Sequence, residues 1–377
     1  MKNIRLATTF SGIGAIEWAF KRLNLKHNIV FACDNGNINI DIDVNEELTL
    51  IKKLNKAKLK KQYVDNLYKN NSRKTNFVEI TYKNNYDINK DDFHQDIRLL
   101  DGNVYKNKVD IFAGGSPCQS FSIAGARAGF EDTRGTLFYD YVRIIKEVKP
   151  KVFIFENVFG LLNHDKGKTW EVVQQAFSQL GYFIKWNVCD AKNFNIPQGR
   201  RRLFVIGFKK EEWFNKFEFP QSQKLKFTTQ DFLLDNCAFG NFTFKKNGEL
   251  KIIKSSQIVD SKLFLSDLLL KYVLSPGTKN FYHTNAQIDL PIARALLSTQ
   301  GNSHRASVNN YVTTNGKIRA LDPRESLRLM GFTDDFKISV SKAQSYKQSG
   351  NSIVVDVLMQ IVKKIIDAVG DELYEEN

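Results

Sequence analysis

Four short apolar runs in the first half of the chain each stop abruptly at glycine, proline or a charged residue. Residues 4–10 break at Ser11-Gly12-Ile13-Gly14 and residues 29–33 at Asp34-Asn35. Residues 109–113 break at Gly114-Gly115-Ser116-Pro117-Cys118, and residues 152–155 at Glu156-Asn157. The first two read as strands, and the nearly continuous apolar runs at 109–113 and 152–155 as strands covered on both faces. Helical spacing follows the first of them, with Ile16, Phe20 and Leu23 in 15–25, and recurs over 138–148. Residues 204–207 read as one more buried strand. The alternation predicts an α/β fold built on a doubly wound, Rossmann-like parallel sheet. Ligands of such sheets bind at the carboxyl ends of the strands, where these runs stop.

Two stretches depart from the pattern. Residues 51–75 hold nine Lys/Arg and one acid, Asp65, and read as a solvated helical insertion ending in a loose loop. After Lys209 phenylalanines crowd the chain, from Phe214 and Phe217 to Phe242 and Phe244. Asn247-Gly248 and Asn315-Gly316 follow as hairpin signals. A smaller, β-rich domain is expected over 209–321, with 1–208 plus 345–377 as the catalytic domain and 322–344 as a hinge. A chain of 377 residues accommodates two such domains.

Composition narrows the function. The four cysteines, Cys33, Cys118, Cys189 and Cys237, lie far apart, which disfavours a disulfide framework or a local zinc site, and no metal is expected. No apolar run approaches the roughly 18–20 residues of a membrane span, and Glu17 interrupts any signal-peptide core. A cytoplasmic location without membrane attachment is expected. The 55 Lys+Arg against 41 Asp+Glu leave +14, which favours a polyanionic partner.

The residues at the strand ends suit chemistry. Glycines at 12 and 14 let the backbone approach a ligand at a helix N-terminus, and Asp34 follows 22 residues after Gly12, placed to accept ribose hydroxyls. The same pattern also suits a turn without a ligand. Cys118 follows proline on a glycine-rich loop. Glu156 cannot be a core residue without a partner, so it is a functional acid or a cap for the next helix. Arginines at 200 and 202 can point to one side and clamp an anion or a base edge, or form a solvated turn.

In this order the segments resemble the cytosine-C5 DNA methyltransferases of bacterial restriction–modification systems. The resemblance rests on FSGIG (10–14), DI (96–97), GGSPCQSFS (114–122), GFEDTRGTLFYD (129–140), FENV (155–158), QGRRR (198–202), RALDPRESLRLMGF (319–332) and QSGNSIVVDVL (348–358). It implies transfer of a methyl group from S-adenosyl-L-methionine to C5 of a flipped-out cytosine in double-stranded DNA, through a covalent Cys–C6 adduct. Cys118 is then the nucleophile, Glu156 supports the ring at N3 and its amine, Arg202 holds O2, and Arg200 supports the loop or a phosphate.

For the cofactor, the resemblance implies that Phe10 stacks on adenine, Gly12 and Gly14 face the methionine part, and Asp34 takes the ribose. Asn35 stands where the family usually has an aromatic packed on adenine. Asp96 and Ile97 read the adenine edge, while Pro117, Leu137, Asn351 and Ser352 complete the pocket. The 62 residues between Asp34 and Asp96 make the basic stretch an insertion.

For DNA, residues 119–135, with Gln119 and Ser122, have the composition of a loop that closes over the extruded base. Arg200 and the polar Ser298, Thr299, Gln300 and Arg305 complete the expected DNA contacts. The expected enzyme is a monomer, with a cognate restriction endonuclease as a further partner that the resemblance allows. A tRNA-methylating relative and a catalytically inactive DNA-binding relative are the alternatives. A nicotinamide dehydrogenase leaves Cys118, FENV and QGRRR unexplained.

Overall fold

The structure, a computed structural model, describes residues 3–117, 137–276, 285–301 and 304–374. The chain opens with β1 (Ile4–Thr9), α1 (Ala15–Arg22) and β2 (His27–Cys33). Three helices follow, α2 (Val44–Lys53), α3 (Ala57–Asn71) and α4 (Phe77–Asn85), then β3 (Phe93–His94) and β4 (Ile111–Gly114). Next come α5 (Leu137–Val148), β5 (Val152–Val158), α6 (Lys168–Gln179), β6 (Phe183–Asp190), β7 (Gln198–Gly199) and β8 (Arg201–Phe208). The remainder holds α7 (Glu211–Lys216), β9 (Phe242–Phe244), β10 (Leu250–Ile252), α8 (Asp267–Val273), β11 (Ala293–Arg294), β12 (Tyr311–Thr314) and β13 (Lys317–Ala320). It ends in α9 (Pro323–Arg328), α10 (Lys342–Asn351) and α11 (Val355–Val369).

Seven strands form one sheet in the order β3-β2-β1-β4-β5-β8-β6. The strands from β3 to β5 pair in parallel, whereas β8 runs antiparallel to both β5 and β6. The expectation of a parallel sheet is corrected at this strand. Only residues 191–200 join β6 to β8, too few for the dozen or more that a parallel crossover needs. The edge strand β6 escapes sequence reading because it leaves Phe183 and Trp186 exposed and shows no continuous apolar run.

Alternate residues of each strand feed opposite cores, as the two-residue repeat of a strand requires. Leu6, Ile111, Ile154 and Ile206 pack with Trp18 of α1 and Val362 and Ile365 of α11. Ala7, Phe112, Phe153 and Val205 pack with Tyr141 of α5 and Phe177 of α6. Among the described residues no helix is long and apolar enough to cross a membrane.

Both hairpins form at their signals. Asn315 and Gly316 adopt φ 50° and 75° between β12 and β13, the left-handed pair that a tight hairpin turn requires. Much of 209–321 is otherwise irregular. Phe217, Phe232 and Phe242 join the same cluster as α1 and α11, and Phe239 is exposed beneath the Arg324 guanidinium.

Three buried arginines fasten this region to the body. Arg22 donates to the carbonyls of Gly248 (2.7 Å) and Gly331 (2.9 Å) and pairs with Asp356 (2.6 Å). Arg319 pairs with Glu325, and Arg328 with Asp334. Removing one partner of such a pair strands a charge in the interior at a cost of about 3–5 kcal/mol.

The insertion is helical with most of its Lys and Arg exposed and a short irregular stretch after α3, as expected, but its helices also carry a buried apolar face. Ile51 of α2 and Val64 and Tyr68 of α3 pack with Ile38, Ile40 and Leu99. Asp43 caps α2 and Asn76 caps α4 by accepting from backbone N–H groups. Part of its charge turns inward: Lys61 is buried and pairs with Asp65, and Lys60 pairs with Asp101.

Candidate active site

The carboxyl ends of β1, β4 and β5 and the loop from α10 into α11 line a pocket that opens to solvent. Phe10 and Gly12 from the first turn, Glu156 from β5, and Asn351 and Ser352 from the α10 end all line it. The turn is possible because Phe10, Gly12 and Gly14 take φ 52°, 53° and 77°. Non-glycine residues seldom adopt this region, so Phe10 is a strained position held by its surroundings.

Asp34 closes the turn from β2. One carboxylate oxygen accepts from Gly12 N (2.9 Å) and the other from Gly36 N (2.8 Å). Each oxygen keeps a second lone pair for a ligand hydroxyl. Burial raises the Asp34 pKa against these two donors and the nearby Lys347 charge. Asn35 forms a local turn instead, donating to the Ile38 carbonyl (3.0 Å) and accepting from Asn37 N (2.9 Å).

Gly14 departs from expectation. A Cβ there would stand 2.2 Å from the Tyr86 ring, so its bare backbone makes room for Tyr86, whose hydroxyl donates to the Ile13 carbonyl (3.0 Å). Asp96 departs further. Its carboxylate accepts from Arg98 N, from the Arg98 guanidinium (2.7 Å at Nη2) and from the Tyr68 hydroxyl (2.9 Å). These donors use the acceptor positions that an adenine amino group would need. Asp96 is therefore a fixing point for its loop rather than a free reader, and Ile97 is buried beside it.

At the other side of the pocket Glu156 meets Arg202, with Nε 3.2 Å from the carboxylate. The register explains the pairing. Glu156 lies opposite Phe204, and Arg202, two residues from Phe204, projects from the same face. The Glu156 side chain is 14% exposed, and burial raises its pKa, opposed by the charges of Arg202 and Arg200. A carboxyl biased toward its protonated form is suited to donating a hydrogen bond or a proton.

Asn157 donates to the Ser116 carbonyl (3.0 Å) and so pins the strand end that leads into the Pro-Cys loop. Pro117 is exposed there, and Leu137 is half-buried at the start of α5. Cys118, Gln119 and Ser122 lie outside the described residues, as does the rest of 119–135.

The expected DNA contact of Arg200 is corrected. The residue is buried and donates to the carbonyls of Leu296 (2.8 Å), Gly350 (2.9 Å) and Ser352 (2.8 Å). Burial, with Arg202 beside it, lowers its pKa to about 9. Its work is to tie the site strand to the α10 end. Gln198 does likewise between the Leu329 carbonyl and Leu296 N, a role sequence reading missed because only the arginines drew attention.

Arg305 is half-buried, lies 4.3 Å over the exposed Tyr272 ring and donates to the Ser275 hydroxyl. Gln300 contacts Ser326 and Ser349, while Thr299 is exposed and Ser298 half-buried.

A mostly parallel sheet with one reversed strand, a glycine turn after its first strand and an acid–arginine pair on its fifth and eighth define a methyltransferase-type fold. Solved structures agree on the fold. DNMT2 from Spodoptera frugiperda superposes with a TM-score of 0.65 at 15% identity, covering 97% of this chain and 100% of that one. A methyltransferase encoded within an Escherichia coli prophage gives 0.57 at 18% identity, covering 97% and 99%.

The family is set by sequence. The model for C-5 cytosine-specific DNA methylases matches residues 53–367. The type II methyltransferase M.SsoII of Shigella sonnei is 36% identical over 298 residues, 77% of this chain and 71% of that protein. M.HpaII of Haemophilus parainfluenzae is 36% identical over 309 residues, 77% of this chain and 81% of that protein. The chain belongs to the C-5 cytosine-specific DNA methylases and is an enzyme of that class.

Proposed function

We propose that this enzyme methylates cytosine C5 at a specific site in double-stranded DNA, using S-adenosyl-L-methionine, as the methylase of a restriction–modification system. The observation that carries the reading is the Glu156–Arg202 pair on the lining of the pocket, with Asn157 holding the start of the loop that continues into Cys118.

The residues present fit the cofactor. The pocket adjoins the glycine turn, Asp34 keeps two free acceptor positions, and the Thr9 hydroxyl in the pocket lining is buried with no partner among the described residues. Phe10 and Asp34 would hold the adenosine part, Gly12 would face the methionine part, and Asn351 and Ser352 would form the opposite wall. When bound, the cofactor supplies an electrophilic methyl group.

The chain's own residues must make C5 a nucleophile. The Cys118 thiolate adds to C6 and Glu156 holds or donates the proton at N3, so that C5 carries the electron pair that takes the methyl group. Arg202 orients Glu156 and the O2 edge. Loss of the C5 proton then expels Cys118 and restores the thiolate. A stacked cytosine offers neither C5 nor C6, so the base must leave the helix, at a cost of a few kcal/mol. Sequence reading is assigned to 209–321, with Ser298 and Thr299 as candidate contacts.

Bisulfite sequencing of DNA from cells with and without the protein tests this reading, with their tRNA treated in parallel. Protected cytosines should appear in one short DNA sequence context. No protected site in DNA, or protection confined to tRNA, would overturn it.

A further inference from the structure

The chain places an insertion between the two acids that the cofactor site was expected to use, and the structure brings that insertion onto both. At Asp34, the Asn76 side-chain amide donates to the main-chain carbonyl (2.8 Å). Gly36 N donates to the Asp34 carboxylate, and a Cβ on Gly36 would stand 2.3 Å from Asn76 Oδ1. The first and last residues around the insertion thus close on one another over Asp34. At Asp96, Tyr68 from the last turn of α3 reaches the carboxylate, and this tyrosine is 4% exposed. Asp34 and the Asp96 loop are themselves coupled, because Asp34 N donates to the His94 carbonyl (3.0 Å) where β2 pairs with β3.

We propose that α2 and α3 form a brace on the cofactor site and that Tyr68 is a positioning residue setting the affinity for S-adenosylmethionine. The proposal rests on the assignment of that cofactor to the pocket beside the glycine turn, whose Gly12 N donates to Asp34. The chemistry is direct. The Tyr68 hydroxyl donates to one Asp96 oxygen while Arg98 spans both, so the loop at 96–99 is held from two sides. Burial and the Asp96 charge push the Tyr68 pKa up, which keeps the hydroxyl a donor. Removing that donor leaves an acceptor position of a buried carboxylate unfilled and loosens the 96–99 loop, which is tied to Asp34 through the His94 carbonyl. A helix that merely decorated the surface would bury no tyrosine against a carboxylate of the site.

The test uses the full chain and S-adenosylmethionine itself. Calorimetry gives the dissociation constant, and steady-state kinetics give separate KM values for cofactor and DNA. In Tyr68→Phe the dissociation constant and the cofactor KM should rise about five- to tenfold, with kcat and the DNA KM within about twofold. Asp96→Asn weakens the same bond from its other end and should shift cofactor affinity in the same direction. Asp34→Ala serves as the reference for the site.

Unchanged cofactor affinity in Tyr68→Phe, with affinity lost in Asp34→Ala, overturns the brace and leaves the cofactor site standing. Unchanged affinity in both overturns the site assignment as well. Equal losses in kcat, DNA KM and cofactor KM would make α3 a general support of the fold and would also overturn the proposal.

Discussion

Replacing Cys118 by serine should abolish methyl transfer, lowering the rate by a factor on the order of 10⁴ or more, the scale on which loss of a covalent nucleophile is felt. A hydroxyl is a far weaker nucleophile than a thiolate, and C5 of cytosine does not attack a methyl donor until C6 has been saturated. Serine is close to cysteine in size, so affinity for duplex DNA should stay within a few-fold. Transfer of a radiolabelled methyl group, with a gel-shift assay beside it, checks both halves. A serine variant that still methylates would remove the nucleophile from its assigned role.

The second large effect is expected at Glu156. Glu156→Gln keeps the shape but removes the exchangeable proton, and kcat should fall by about 10²–10⁴, the usual contribution of a positioned acid. The pH profile gives the sign independently. Burial raises the pKa of this carboxyl, with Arg202 and then Arg200 opposing. Glu156 therefore keeps its proton to higher pH than a free glutamate. A step that needs the protonated acid is at full rate below that raised value and declines as pH rises through it. Wild-type kcat should show this alkaline decline, and Glu156→Gln should lose it. An unchanged profile in the variant would assign the titration to another group.

The parallel part of the sheet was legible because β1, β4 and β5 are covered on both faces and are rich in apolar residues up to the breaks at their ends. The rest was hidden for physical reasons. Strand β6 lies at an edge and alternates exposed with half-buried residues, and the reversal of β8 follows from a short connection that composition does not announce. The insertion looked like a solvated run because its nine Lys and Arg are interspersed among its apolar residues. Ile51, Val64 and Tyr68 carry the buried apolar face, with Lys61 buried beside them.

Motifs located the acid–arginine pair but not the partners of each group. Arg200 and Arg202 stand two residues apart in one motif. The first spends its donors on three carbonyls and the second faces Glu156, a division set by strand register and burial rather than by residue type. Asp96 matches its motif too, yet Tyr68 and Arg98 occupy its oxygens.

The same distinction applies to charge. The formal +14 overstates what is offered to a phosphate backbone, because Arg22, Arg200, Arg319 and Arg328 are buried and bonded within the fold. A salt-sensitive, sequence-independent part of DNA affinity would rest on the exposed lysines instead.

The measurement that bears most directly on the mechanism uses a duplex with 5-fluorocytosine at the methylated position found by bisulfite sequencing. Fluorine at C5 cannot leave as the proton does, so addition at C6 followed by methylation should trap the enzyme. With S-adenosylmethionine present, mass spectrometry should find the DNA strand covalently joined to the peptide containing Cys118, and Cys118→Ser should give no such species. An active enzyme that forms no adduct, or one joined through a different residue, would contradict attack by Cys118 at C6.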